Sequence, residues 1–100
     1  MRLNELEISV INSMARKHFG NDVKVILFGS RVDDNQRGGD IDLFIYKADG
    51  ESITVRKKIE FITSLLFQIG EQRVDVVLDR PELRKTLFYQ TILKKGIPLC

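Results

Sequence analysis

Two short apolar runs, each interrupted by residues that do not belong in a core, constrain this chain more than any other feature. Val23-Lys24-Val25-Ile26-Leu27-Phe28 stops at Gly29-Ser30-Arg31. After a polar stretch, Gly38-Gly39-Asp40-Ile41-Asp42-Leu43-Phe44-Ile45 follows. Both runs are rich in Val, Ile, Leu and Phe and are bounded by turn residues, the marks of buried strands. Alternate residues of a strand share a face, so Asp40 and Asp42 stand together, ~6.6 Å apart at ~3.3 Å per residue. Unpaired buried carboxylates are costly. A strand that opens on two of them calls for one hard cation between them, or a pair of cations ~3.5–4 Å apart.

The flanking sequence supplies the rest of a small fold. Residues from about Leu3 to Phe19 predict an amphipathic helix, with Leu3, Leu6, Val10 and Met14 at helical spacing and Ile11 widening the stripe. Glu5 and Glu7 near its start and Arg16, Lys17 and His18 near its end suit the helix dipole, and Gly20-Asn21 stops it. Strands are expected at about Val23 to Phe28 and Asp40 to Tyr46, separated by the turn-rich loop from Val32 to Gly39. A second helix should start near Ser52 as N-cap and run to Ile69, burying Val55, Ile59, Ile62, Leu65, Leu66 and Ile69 before Gly70. A third strand, about Arg73 to Leu78, carries Asp75. A last helix is expected from around Pro81 to Lys95.

Connection lengths then set the geometry. The loop between the first two strands is too short for a parallel crossover, so they should run antiparallel. The second and third are joined through a helix and should be parallel, with a right-handed crossover. Gly29-Ser30, Asp40, Asp42 and Asp75 then converge on one edge of a three-stranded mixed sheet flanked by three to four helices, an α+β sandwich.

Length and charge narrow the function. One hundred residues make one domain, 1–100, with room for a single core. Sixteen basic residues against fourteen acidic, well mixed, give a net charge of +2, so there is no basic stripe of the kind general nucleic-acid binding wants. The lone Cys100 excludes an intrachain disulfide and suits a reducing cytoplasm. Neither a membrane span nor a signal peptide is visible. His18 is the only histidine, so a zinc or histidine-triad site has no support, and the residue reads as a helix-end or packing group. Asp33 and Asp34 read as loop solvation, Asp79 as a helix cap, Tyr46 and Tyr89 as half-buried packing, Lys94 and Lys95 as ordinary helix-end charge, and Cys100 as inert.

Three carboxylates on one sheet edge repel one another unless a cation offsets them. Oxygen-only ligands suit Mg²⁺ or Mn²⁺, with nucleotide phosphates and water completing the shell. The N–H groups of Gly29, Ser30 and the residues after them form an anion-binding turn, where glycine allows phosphate close to the backbone. Two metals and a phosphate cradle describe phosphoryl or nucleotidyl transfer by in-line displacement.

Gly29-Ser30-Arg31, then Gly39-Asp40-Ile41-Asp42-Leu43, then Val74-Asp75-Val76-Val77 resemble the signature of the DNA polymerase β-like nucleotidyltransferase superfamily. The likeness is nearest to its minimal nucleotidyltransferases (MNT), short proteins often encoded beside a HEPN-domain partner, and it spans essentially the whole chain. The resemblance implies that Asp40 and Asp42 bind two Mg²⁺ ions holding ATP as co-substrate. By the same resemblance Asp75 joins the catalytic metal and helps deprotonate the attacking hydroxyl. Gly29 and Ser30, with Arg31 beside them, would meet the β- and γ-phosphates. It further implies transfer of NMP, AMP above all, to a hydroxyl such as a tyrosine of a HEPN toxin, making this chain a cytoplasmic antitoxin. Gly38-Gly39 stands where many relatives have serine, so that hydroxyl is missing, and a base-gripping second domain has no room. The rival readings are a non-catalytic module that neutralises its partner by binding, and a nucleotidyltransferase acting on a small molecule such as an antibiotic. Base preference, acceptor and oligomeric state, homo- or hetero-, stay open.

Overall fold

The computed structural model describes residues 1–33 and 39–100. Asp34 and Gly38, both within the expected loop, lie outside the described residues. The elements in order are α1 (Glu5–Phe19), β1 (Val23–Phe28), β2 (Ile41–Lys47), α2 (Val55–Ile69), β3 (Val74–Leu78), α3 (Leu87–Lys95) and β4 (Ile97–Pro98). Single 3₁₀ turns occupy Gly29–Val32 and Leu83–Lys85.

The strands form one mixed sheet in the order β3-β2-β1-β4. β1 runs antiparallel to β2, and β2 runs parallel to β3, as the connection lengths require. The sheet has four strands among the described residues, not three. The addition is β4, in which Ile97 and Pro98 pair with Leu27 and Ile26. Two residues at the chain's end carry no alternation to read, and proline argues against a strand except at an edge, where this one lies.

Strand alternation divides the core. Val25, Leu27, Ile41, Leu43, Ile45 and Val76 face α1 and α2 and are buried with Ile11, Ala15, Phe19, Phe61 and Leu65. Ile26, Phe44 and Ile92 form a smaller cluster on the other face, under α3, joined by Phe28, Tyr46, Val77 and Tyr89. The half-buried Tyr46 and Tyr89 pack there as expected.

Helices α1 and α2 keep close to their expected spans, and Leu3, Ile11 and Leu65 are buried as expected, but each helix is rotated from the expected face. In α1 the row meeting the sheet is Ile11, Ala15 and Phe19, and Leu6 is 70% exposed. An Asn4–Glu7 capping box holds the first turn, the Glu7 N–H donating to Asn4 Oδ1 at 2.7 Å. Thr54, not Ser52, caps α2 by accepting from the Lys57 N–H. Val55 and Ile59 are exposed, because Phe61 and Leu65 take the core positions. The α3 helix begins late, at Leu87 with Thr86 as its cap. Pro81 sits in the turn region before it. Asp79 is not a cap: its carboxylate accepts two hydrogen bonds from the Arg84 guanidinium, at 3.1 and 2.6 Å. Among the described residues no helix is long and apolar enough to cross a membrane.

Candidate active site

Register brings the aspartates together. Asp42 and Asp75 are paired residues on β2 and β3, and Phe28, the last residue of β1, pairs with Asp42 from the other side. Parallel pairing through the α2 crossover therefore converts two distant sequence positions into neighbours. Alternation places both carboxylates on the α3 face, since Phe44 and Val77 from the same strands pack there.

Gly29 turns the chain immediately after β1 with φ +77°, in the left-handed region glycine favours. A Cβ at this position would overlap Asp42 Oδ2 and lie 3.1 Å from its Cγ. The carboxylate thus rests on the bare backbone of the Gly29-Ser30 turn. Gly39, at φ +92°, plays a matching part: a Cβ there would overlap the Ser30 hydroxyl. The absence of a side chain at 39 is what leaves room for the Ser30 hydroxyl.

Asp40 precedes β2, two residues before Asp42, on whose carboxylate its charge acts, and Arg73 Nε is 3.8 Å from its Oδ2. Arg73 is 83% exposed, so the pair is screened and weak. Sequence reading passed over this arginine, although its place two residues before Asp75 put it on the same strand face. Arg31 is committed to the chain itself. Its guanidinium donates to the carbonyls of Gly39 and Arg2, at 3.2 and 2.9 Å, and to Gln72 Oε1 at 3.4 Å. Arg2 in turn donates to the carbonyls of Ser30 and Asp33. The two arginines lace the N-terminal residues to the Gly29–Val32 turn, a link for which no sequence signal exists.

Burial raises the pKa of Asp42 above its ordinary value, and repulsion from Asp75 and then Asp40 adds to the effect. The site therefore holds negative charge at a cost that a cation would relieve. Among the described residues no three His, Cys, Asp or Glu side chains form a closed metal cage. An adjoining carboxylate pair open to solvent still fits Mg²⁺, which commonly binds through one or two carboxylates while keeping waters and phosphates as its other ligands. Among the described residues a hollow of about 310 Å³ lies elsewhere, between Ser52, Val55 and Lys58 at the start of α2 and Leu78 and Arg80 at the far end of β3. The aspartates stand on an open shelf.

The Polymerase beta, Nucleotidyltransferase family matches residues 10–100. The chain belongs to that family. This nucleotidyltransferase also shares its fold with solved toxin–antitoxin structures. One, a toxin–antitoxin with AMP-PNP, is 24% identical at a TM-score of 0.69, over 98% of this chain and 73% of that one. A second, a mutant MntA–HpeT toxin–antitoxin with two Asp-to-Glu changes two positions apart, is 22% identical with a TM-score of 0.69, over 98% and 73%. A third is the tri-AMPylated Shewanella oneidensis HEPN toxin in complex with MNT antitoxin, 21% identical with a TM-score of 0.69, over 98% and 72%. Among curated proteins, none matches this chain.

Proposed function

We propose that this nucleotidyltransferase moves AMP from ATP to a hydroxyl, a tyrosine of a HEPN-type partner protein, and so acts as that partner's antitoxin in the cytoplasm. The observation that carries the reading is the paired Asp42 and Asp75 beside the glycine-floored turn at Gly29-Ser30. The solved relatives support the partner and the nucleotide, since they pair an MNT antitoxin with an AMPylated HEPN toxin or contain AMP-PNP. The aspartates altered in one relative have the spacing of Asp40 and Asp42.

Asp40, Asp42 and Asp75 would hold two Mg²⁺ ions, with Mn²⁺ as an alternative. Bound there, the metal neutralises triphosphate oxygens and the charge that develops on pyrophosphate. The chain's own residues do the rest. Backbone N–H groups of Gly29 and Ser30 receive the β- and γ-phosphates, and Arg31 holds that turn in shape through Gly39 and Arg2. The acceptor oxygen attacks the α-phosphorus, its proton passes to Asp75, and the bond to the β-phosphate oxygen breaks to release pyrophosphate. An open shelf leaves space for a protein acceptor over the carboxylates.

The test is labelling with α-³²P-ATP and Mg²⁺ in host lysate, beside Asp42→Asn and Asp75→Asn. A labelled protein band is expected, falling by on the order of 10³-fold or more in each variant, as removal of several kcal/mol of charge stabilisation requires. Equal labelling by the variants would sink the assignment. Label on a small molecule would replace the protein acceptor, and neutralisation of the partner by Asp42→Asn would make binding the active principle.

A further inference from the structure

Phe28 occupies the next place in the row that holds the two carboxylates. Asp75, Asp42 and Phe28 are successive paired residues on β3, β2 and β1, with ~4.8 Å between neighbouring strands. Alternation sets all three on the α3 face, where Phe28 is anchored against the Ile26, Phe44 and Ile92 cluster. Phe88, in the first turn of α3, stands edge-on to it, with ring centroids 5.6 Å apart at 80°. Yet Phe88 keeps 45% of its surface exposed. Its neighbour Tyr89 is drawn inward against Phe44, and Phe88, about 100° further round the helix, is left at the rim. Its brace is one strand from Asp42.

We propose that Phe88, braced by Phe28, is the stacking platform for the nucleobase of the nucleoside triphosphate. The proposal rests on the nucleotidyl-transfer reading above, which puts the phosphates at Gly29-Ser30 and the α-phosphorus by Asp42 and Asp75. A ribose then spans the step from the carboxylate row to the ring. Stacking reads ring area and not hydrogen-bond pattern, because every base has a π-face. Purine triphosphates are therefore favoured over pyrimidine ones, with little discrimination between adenine and guanine. A charged or hydrogen-bonding base pocket would predict the opposite.

Calorimetric titration of the full chain in Mg²⁺ with two ligands, ATP and inorganic tripolyphosphate, tests this. Phe88→Ala should weaken ATP binding about 10-fold, within the range measured for base–aromatic stacking, and leave tripolyphosphate binding unchanged. Phe88→Trp should restore ATP affinity. Because Phe88 is half exposed, the Phe88→Ala chain is expected to melt only slightly below the wild type and to be fully folded at the temperature of the titration. Equal weakening of both ligands, or ATP binding that is indifferent to Phe88→Ala, overturns the platform while leaving nucleotidyl transfer standing. Acceptor labelling that falls with ATP affinity intact also overturns it, and gives the ring to the partner protein. A wild-type chain that binds neither ligand overturns the transfer reading and the platform together.

Discussion

One face of the sheet is covered by two fifteen-residue helices, and its residues interlock into a continuous dry core. The other carries a nine-residue helix and a 3₁₀ turn, buries only Ile26, Phe44 and Ile92 fully or nearly so, and leaves its edge to Asp42 and Asp75. The same strands serve both faces. On β2, Ile41, Leu43 and Ile45 are buried under α1 and α2, whereas Asp42 between them is half-buried on the far side. Stability and chemistry are thus separated by the parity of residue number along a strand. A slip of one residue in register would exchange the two sets, so the dry face is what holds the aspartates in place.

That division can be broken first with truncations. Phe61, fully buried in the dry face, should lose about 3–5 kcal/mol on Phe61→Ala. Phe88→Ala, on the open face, should lose only about 1–2 kcal/mol, for a half-exposed ring and its edge-on contact with Phe28. Each kcal/mol is worth about 4–8 °C of Tm in a domain of this size, so thermal melting distinguishes the two. Equal losses would show that the faces do not differ as described. Gly29→Ala tests the border between them. A side chain in the left-handed region costs about 1–2 kcal/mol, and its Cβ displaces the Asp42 carboxylate. The melting temperature should fall modestly while the transfer rate falls much further.

The smallest effect has the opposite sign. Burial and the neighbouring Asp75 raise the folded-state pKa of Asp42 above its ordinary 3.8. The folded state then binds this proton more readily than the unfolded chain, so stability rises as pH falls through that window. Above the window the full cost is present. Asp42→Asn should therefore be more stable than the native chain at pH 7, by less than about 1 kcal/mol because water screens a half-exposed pair. The gain should vanish as the pH drops towards 3.8. Urea melts at several pH values would show it, and a variant less stable at pH 7 would contradict the repulsion.

Much of the fold was legible because it is written in local pattern. β1 is bounded by Asn21 and Gly29 and spans the expected residues, and the senses of pairing follow from the connections. The faces of α1 and α2 were less legible, because both helices carry more apolar residues than one stripe needs. Leu6, Val55 and Ile59 satisfy helical periodicity as well as Ile11 and Phe61 do, and only the shape of the sheet decides between them. Asp40, Asp42 and Asp75 stood out as charge within apolar runs, and the fold sets Asp42 and Asp75 side by side. Arg2 and Arg31 offered no such contrast. Their partners are backbone carbonyls, and any residue supplies those.

The two-residue β4 strand closes the outer edge of β1, and it is synthesised long after the strand it covers. At ~5–20 residues per second, β1 waits several seconds with one edge unpaired, and open edges invite strands from other chains. Val23–Phe28 has the composition that such association favours. Lys24 is the one exposed residue of that strand, and its charge guards the nascent chain until Ile97 and Pro98 arrive.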